Sequence, residues 1–125
     1  MWELKTGVVY NMRTNQIIGD YVWKADSILS RLQGLLGHSY LKPGQGCWLV
    51  PCQQVHMIGM RFALSVWFLD RSGIICYILD ELKPYKISPR HKDAVSVLEF
   101  PAEWAKITDT RIGDTLRWEY RLGAK

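Results

Sequence analysis

The chain has 125 residues, 48% of them hydrophobic and 22% charged, with sixteen basic against twelve acidic side chains. That length gives one domain over residues 1–125, with a core large enough to fold without a metal or disulfide, and the composition excludes disorder. Six Trp, six Tyr and three Phe favour a β-rich core or a binding surface.

Glu3 to Met12 alternates as a strand, Arg13 to Gln16 reads as a turn, and Ile17 to Lys24 returns as the second strand of a hairpin. Asp26-Ser27 carries N-cap chemistry. Beyond it Ile28, Leu29, Leu32, Leu35 and Leu36 share one helical face, which predicts a helix over 27–36 ended by Gly37. His38 to Gly46 is a loop, and Cys47 to Val50 is a short apolar run stopped by Pro51. From Arg61 the alternating residues are apolar on both sides, as in a central strand covered on two faces. Asp70 to Gly73 turns the chain, and Ile74 to Leu79 pairs back. A basic segment bounded by Pro84 and Pro89 follows, then a strand over 94–100. Pro101 to Lys106 reads as a short helical piece with Pro at its first position. Gly113-Asp114 leads into a last strand over 115–121. The expected fold is mainly β: a compact antiparallel barrel or sandwich with one real helix. No βαβ alternation supports a dinucleotide-binding fold.

The first residues lack a basic stretch followed by an apolar one, and the longest apolar run, 64–79, is broken by Asp70-Arg71-Ser72-Gly73. These features predict no signal peptide, no membrane span and a cytoplasmic location. Cys47, Cys52 and Cys76 then read as reduced thiols.

Residues 51–62 are richest in functional atoms. Cys52, His56 and Met60 are spaced by four and form a soft donor set of the kind Cu(I) prefers. In an extended chain such residues lie about 13 Å apart; on a helix they lie about 6 Å apart. Val55, Ile58 and Gly59 disfavour the helix, so the expectation is no metal and no cofactor. Cys52 and Met60 then pack inward, and His56 makes a structural hydrogen bond. A Cys52–His56 nucleophile and base meets the same spacing objection. Ser65, His56 and Asp70 lack the G-x-S-x-G elbow, so no catalytic residue is assigned. Arg61 borders an apolar strand and needs a partner, either Glu99 or a ligand anion. Lys83, Tyr85, Lys86, Arg90 and Lys92 lie in a stretch without acids, as a solvated loop or a partner surface.

Several motifs occur together and in order. They include Arg31-Leu32-Gln33-Gly34-Leu35-Leu36-Gly37, Pro51-Cys52, Val55-His56, Gly59-Met60-Arg61-Phe62, Val97-Leu98-Glu99-Phe100-Pro101 and Ile112-Gly113-Asp114. Over about residues 6–118 the sequence resembles the domain of unknown function 192 family. The resemblance implies a small, mainly β, barrel-like domain with short helices and no assigned reaction. Ala63 and Ser65 stand where the family commonly has Pro and Asp, and His38 where it has Arg or Lys.

The combined expectation is a non-catalytic binding or accessory module, monomeric or weakly dimeric. It presents a cleft around His56, Met60 and Arg61, with Cys52, Trp48 and Trp67, to a protein segment or a small anionic ligand. The basic loop 83–92 forms its partner surface. Two alternatives stand: a thiol- or metal-dependent enzyme or Cu(I)-type site on Cys52, His56 and Met60, and a nucleic-acid contact through the basic loop.

Overall fold

A computed structural model describes residues 5–27, 31 and 40–121. Seven strands are described: β1 (Lys5–Asn11), β2 (Gln16–Ala25), β3 (Gln45–Leu49), β4 (Leu64–Leu69), β5 (Ile75–Leu82), β6 (Ser96–Pro101) and β7 (Leu116–Tyr120). They form one sheet in the order β5-β4-β6-β3-β2-β1-β7. The hairpin predictions hold for β1–β2 and for β4–β5. The second turn needs Gly73 at φ 79°, while the Asp70 carboxylate accepts the backbone N–H groups of Ser72 and Ile74.

The sheet is mainly antiparallel, as expected, with one parallel pair, β2 and β3. Parallel neighbours cannot be joined by a tight turn, so residues 26–44 cross over between them. The predicted helix 27–36 falls in this crossover and, apart from Ser27 and Arg31, lies outside the described residues. The Arg31 N–H donates to the Ser27 carbonyl at 3.0 Å, the spacing of an α-helical bond. His38 also lies outside the described residues. The second helical prediction shifts. Pro101 ends β6, opposite Leu64, and the helix α1 (Trp104–Ile107) begins beyond it. The Asp80 carboxylate takes the N–H groups of Ala105 and Lys106 at 2.9 and 3.1 Å, so a side chain from β5 caps the helix. No helix among the described residues is long and apolar enough to cross a membrane.

Alternation along the strands gives the sheet two apolar faces. On one lie Val9, Val22, Trp48, Trp67, Leu98, Phe100 and Trp118. On the other lie Trp23, Cys47, Leu49, Val66, Phe68 and Val97, covered by Val55, Met57 and Met60. All six residues of β4 are buried, as its two-sided apolar pattern predicts. Each fully buried Leu, Val or Phe contributes about 1.5–3 kcal/mol, so the two faces together carry the fold.

Leu116 and Trp118, on edge strand β7, pack into the same cluster as Leu69 and Ile75 at the opposite edge. The sheet therefore curls around the first face. Of the two expected forms, barrel or sandwich, the sandwich-like one fits, since the sheet does not close. Among the described residues the edges meet around one bridge, Ile74–Thr115, where Ile75 N–H donates to the Asp114 carbonyl, Gly113 N–H to Ile75 and Leu116 N–H to Gly73, with no ladder between β5 and β7. Two glycines permit the curl. A Cβ at Gly46 would lie 2.7 Å from the Phe100 ring, and one at Gly7 would lie 2.5 Å from the Trp118 ring.

Candidate functional site

The segment 51–62 is a loop on the outer face, packed beside the basic loop. Backbone bonds run from Tyr85 N–H to the Met57 carbonyl, Met57 N–H to Lys86, Ser88 N–H to Val55 and His91 N–H to Gln53. His56 and Ile87 form an isolated bridge. Glutamine side chains complete the seam: Gln53 donates to the carbonyls of Lys92 and Ala94 and accepts from Arg90, and Gln54 donates to the Ser88 carbonyl. The two stretches singled out separately in the sequence are one annex.

The buried ion pair beneath this annex differs from the expectation. Glu99 is fully buried and held in a two-pronged contact by Arg31, not Arg61. Arg31 Nε donates to Oε1 at 2.8 Å and Nη2 to Oε2 at 2.6 Å, while Nη1 donates to the His56 carbonyl at 3.0 Å. Arg61 instead is exposed in the turn before β4, with no ion pair among the described residues. Arg31 is not among the site residues expected from the sequence. Its signal is position: it lies three residues after Ile28 and four before Leu35, on the apolar stripe of the predicted helix. A charge there needs a buried partner.

The expected cleft residues are placed apart. Met60 is buried in the outer core, and Trp67 is fully buried with its Nε1 donating to Ser65 Oγ at 2.7 Å. His56 is half-buried, and its Nδ1 has no hydrogen-bond partner. None of His56, Met60, Arg61 and Trp67 lines either of the two clefts described here. Cys52 lines a shallow groove with Gln53, Gln54 and Arg90. Its Sγ donates to the Gln54 carbonyl at 3.2 Å, and burial pushes its thiol above the ordinary range. Burial pushes Cys47 up much further. Such thiols are the reverse of an activated nucleophile. No three His, Cys, Asp or Glu among the described residues are grouped so as to hold a metal. Ser65 is committed as well: it donates to Asp80 Oδ1 at 2.6 Å, the same carboxylate that caps α1.

The more enclosed concavity lies where the curled sheet fails to close. This cleft of about 290 Å3 opens on the inner face. Its apolar lining includes Val9, Leu69, Leu98 and Leu116, with the rings of Trp48 and Trp118. The two rings lie 4.9 Å apart, tilted by 38°. Lys24 Nζ sits 5.2 Å from the Trp48 ring centre, a cation–π distance. The indole N–H groups of Trp48 and Trp118 are buried and without partners. The turn residues Asp70 to Gly73 form one rim. Arg71 is exposed there, with no ion pair among the described residues. Arg117 also lines the cleft, but its guanidinium pairs with Glu119 and stands 4.6 Å from the Tyr10 ring centre. Of the six expected cleft residues, Trp48 alone reaches this site.

One end of the opening is tied shut. Buried Asp114 accepts Asn11 Nδ2 at 2.9 Å, Arg13 Nε at 2.7 Å and the Arg111 N–H at 2.9 Å. Burial alone would raise its pKa, but the hydrogen bonds from Arg13, Asn11 and the Arg111 backbone outweigh that and hold it below the ordinary value.

Residues 9–118 match the profile of domain of unknown function 192, described as an uncharacterised conserved family. No curated protein matches the chain. Two crystal structures share the fold. One, from Sinorhizobium meliloti, is called a candidate transcription regulator. It is 21% identical, with a TM-score of 0.80 over 94% of this chain and 97% of the other. The second, a protein of unknown function from Novosphingobium aromaticivorans, is 18% identical, with a TM-score of 0.75 over 90% and 84%. At these identities the likeness concerns the fold alone.

Proposed function

We propose that this chain, which belongs to the domain of unknown function 192 family, is a non-catalytic binding module for a small amphipathic anion. The observation that carries the reading is the cleft at the unclosed edge of the sheet. Its volume lies just under the roughly 300–1,000 Å3 of drug-sized ligand sites, which suits a small aromatic or short-chain acid. Leu69, Leu98 and Leu116 offer the apolar body a floor, and Trp48 with Trp118 offers it a wall. Arg71 stands at the rim, where the anionic head meets water and a free guanidinium. The lining holds no Cys or His, and its one carboxylate, Asp70, is engaged by the backbone N–H groups of Ser72 and Ile74 rather than by a hydroxyl, which supports binding over catalysis. Free thiols at Cys47, Cys52 and Cys76 support a reducing, cytoplasmic setting.

The test uses 8-anilinonaphthalene-1-sulfonate, an aromatic anion whose emission rises in apolar sites. The expected result is saturable binding of one dye per chain, weakened at least about fivefold by Arg71→Ala and more by Trp48→Ala, as loss of one charged contact implies. Binding that does not saturate, or that ignores both substitutions, overturns the reading.

A further inference from the structure

The positive charge of the chain is concentrated in one place. Segments 51–62 and 83–92 contain five cations, Arg61, Lys83, Lys86, Arg90 and Lys92, and no acid. Everything else holds eleven cations against twelve acids. The backbone seam joins these two segments, so the net charge belongs to the annex.

The same annex exposes apolar side chains at its turns. Ile58 is 59% exposed, Ile87 59% and Tyr85 72%, the last being the most exposed large apolar residue described. They are neighbours through the bonds of Tyr85 to Met57 and the bridge of Ile87 to His56. Gly59, beside Ile58, has open space where its Cβ would point. Tyr85 is held at φ 67°, a left-handed conformation that a bulky residue adopts only under constraint. Nothing in the core is gained by it, since the ring faces solvent.

We propose that this annex docks the protein onto an anionic lipid bilayer. The apolar tips enter the interface, and Arg61, Lys83 and Lys86 meet the phosphates. A tyrosine suits that depth, with an apolar ring and a polar end. A nucleic acid would leave the two isoleucines without an apolar medium.

Vesicle co-sedimentation of the intact protein tests this, with phosphatidylcholine alone or with about 30 mol% phosphatidylglycerol, the anionic component that attracts basic segments. Binding is expected only to the anionic vesicles and is expected to fall as salt rises. Lys83→Glu with Lys86→Glu lowers it by at least about tenfold, given about fivefold per cation near such a surface. Ile58→Ser with Tyr85→Ser weakens it without changing its salt dependence, while Ile107→Ser on α1 changes nothing. Thermal melting checks that each variant folds. Absence of binding to the anionic vesicles overturns the proposal. So does indifference to the Ile58 and Tyr85 substitutions, or capture by polyglutamate or RNA with vesicles ignored.

Discussion

The two faces of the sheet treat polar atoms in opposite ways. The outer face is sealed by the loop 51–62 and encloses a full charge pair, Arg31 with Glu99, in which both side chains are almost wholly buried. Guanidinium and carboxylate each find more than one hydrogen bond there. The inner face has a charge pair at its tied end, half-exposed Arg13 with buried Asp114, and is left open along one edge, where two indole N–H groups have no partner. An unmade buried hydrogen bond costs about 1–3 kcal/mol. The sealed face thus pairs its buried charge, although His56 Nδ1 and His91 Nε2 in the loops over it lack partners, while the open face leaves its indole donors beside a cleft. Stability and recognition are divided between opposite sides of one sheet.

The largest test of that division is Glu99→Ala. It strands the Arg31 charge in the core and is expected to cost about 3–5 kcal/mol in chemical denaturation. The double change Arg31→Met with Glu99→Leu recovers most of that loss, because an apolar pair needs no partner. A loss under about 1 kcal/mol for Glu99→Ala would show that the outer face is not sealed.

Gly7→Ala probes the open side. Its new methyl meets the Trp118 ring, and overpacking of this kind costs about 1–3 kcal/mol. It should also shift the tryptophan emission, since Trp118 is pressed toward Trp48. An unchanged spectrum and melting temperature would mean that the ring moves aside freely.

The smallest effect is at the tied end of the opening. The lowered pKa of Asp114 contributes stability above the ordinary carboxylate value of 3.8 and loses it as pH falls through the folded value. Asp114→Asn should therefore be less stable than the parent at neutral pH, and the gap should narrow below about pH 4. A gap that stays constant in an acid melting series would remove Asp114 from the closure.

Much of the sheet was legible because period two survives in almost any context. The strands from Lys5, Gln16, Leu64 and Ile75 follow their alternation closely. Direction was not legible, since the long connection 26–44 fixes no orientation by itself, and β2–β3 turned out parallel. The partner of Glu99 was misassigned for a related reason. Arg61 and Arg31 are equally basic in sequence, but Glu99 shares its face with Cys47 and Val97, and it is Arg31 that reaches it there. Trp67 differs: the two-sided apolar pattern of its strand already predicts burial, and the pairing with β5 and β6 encloses its ring, so it cannot also line an open cleft. The cleft depends on Trp48, Leu69, Leu98 and Trp118, drawn from four strands across the chain, and no local pattern groups them.

The pairing of β7 with β1 has a kinetic consequence. Gly7 lies opposite Tyr120 and Asn11 opposite Leu116, so this ladder joins segments more than a hundred residues apart. During synthesis the wall that Trp118 supplies is missing until nearly every other strand has been made, and Val9 and Trp48 wait uncovered. Pairings of such long separation place folding among the slow cases, about milliseconds to seconds. The interval in which the inner face is exposed is when a chaperone, or an early ligand, has the most to hold.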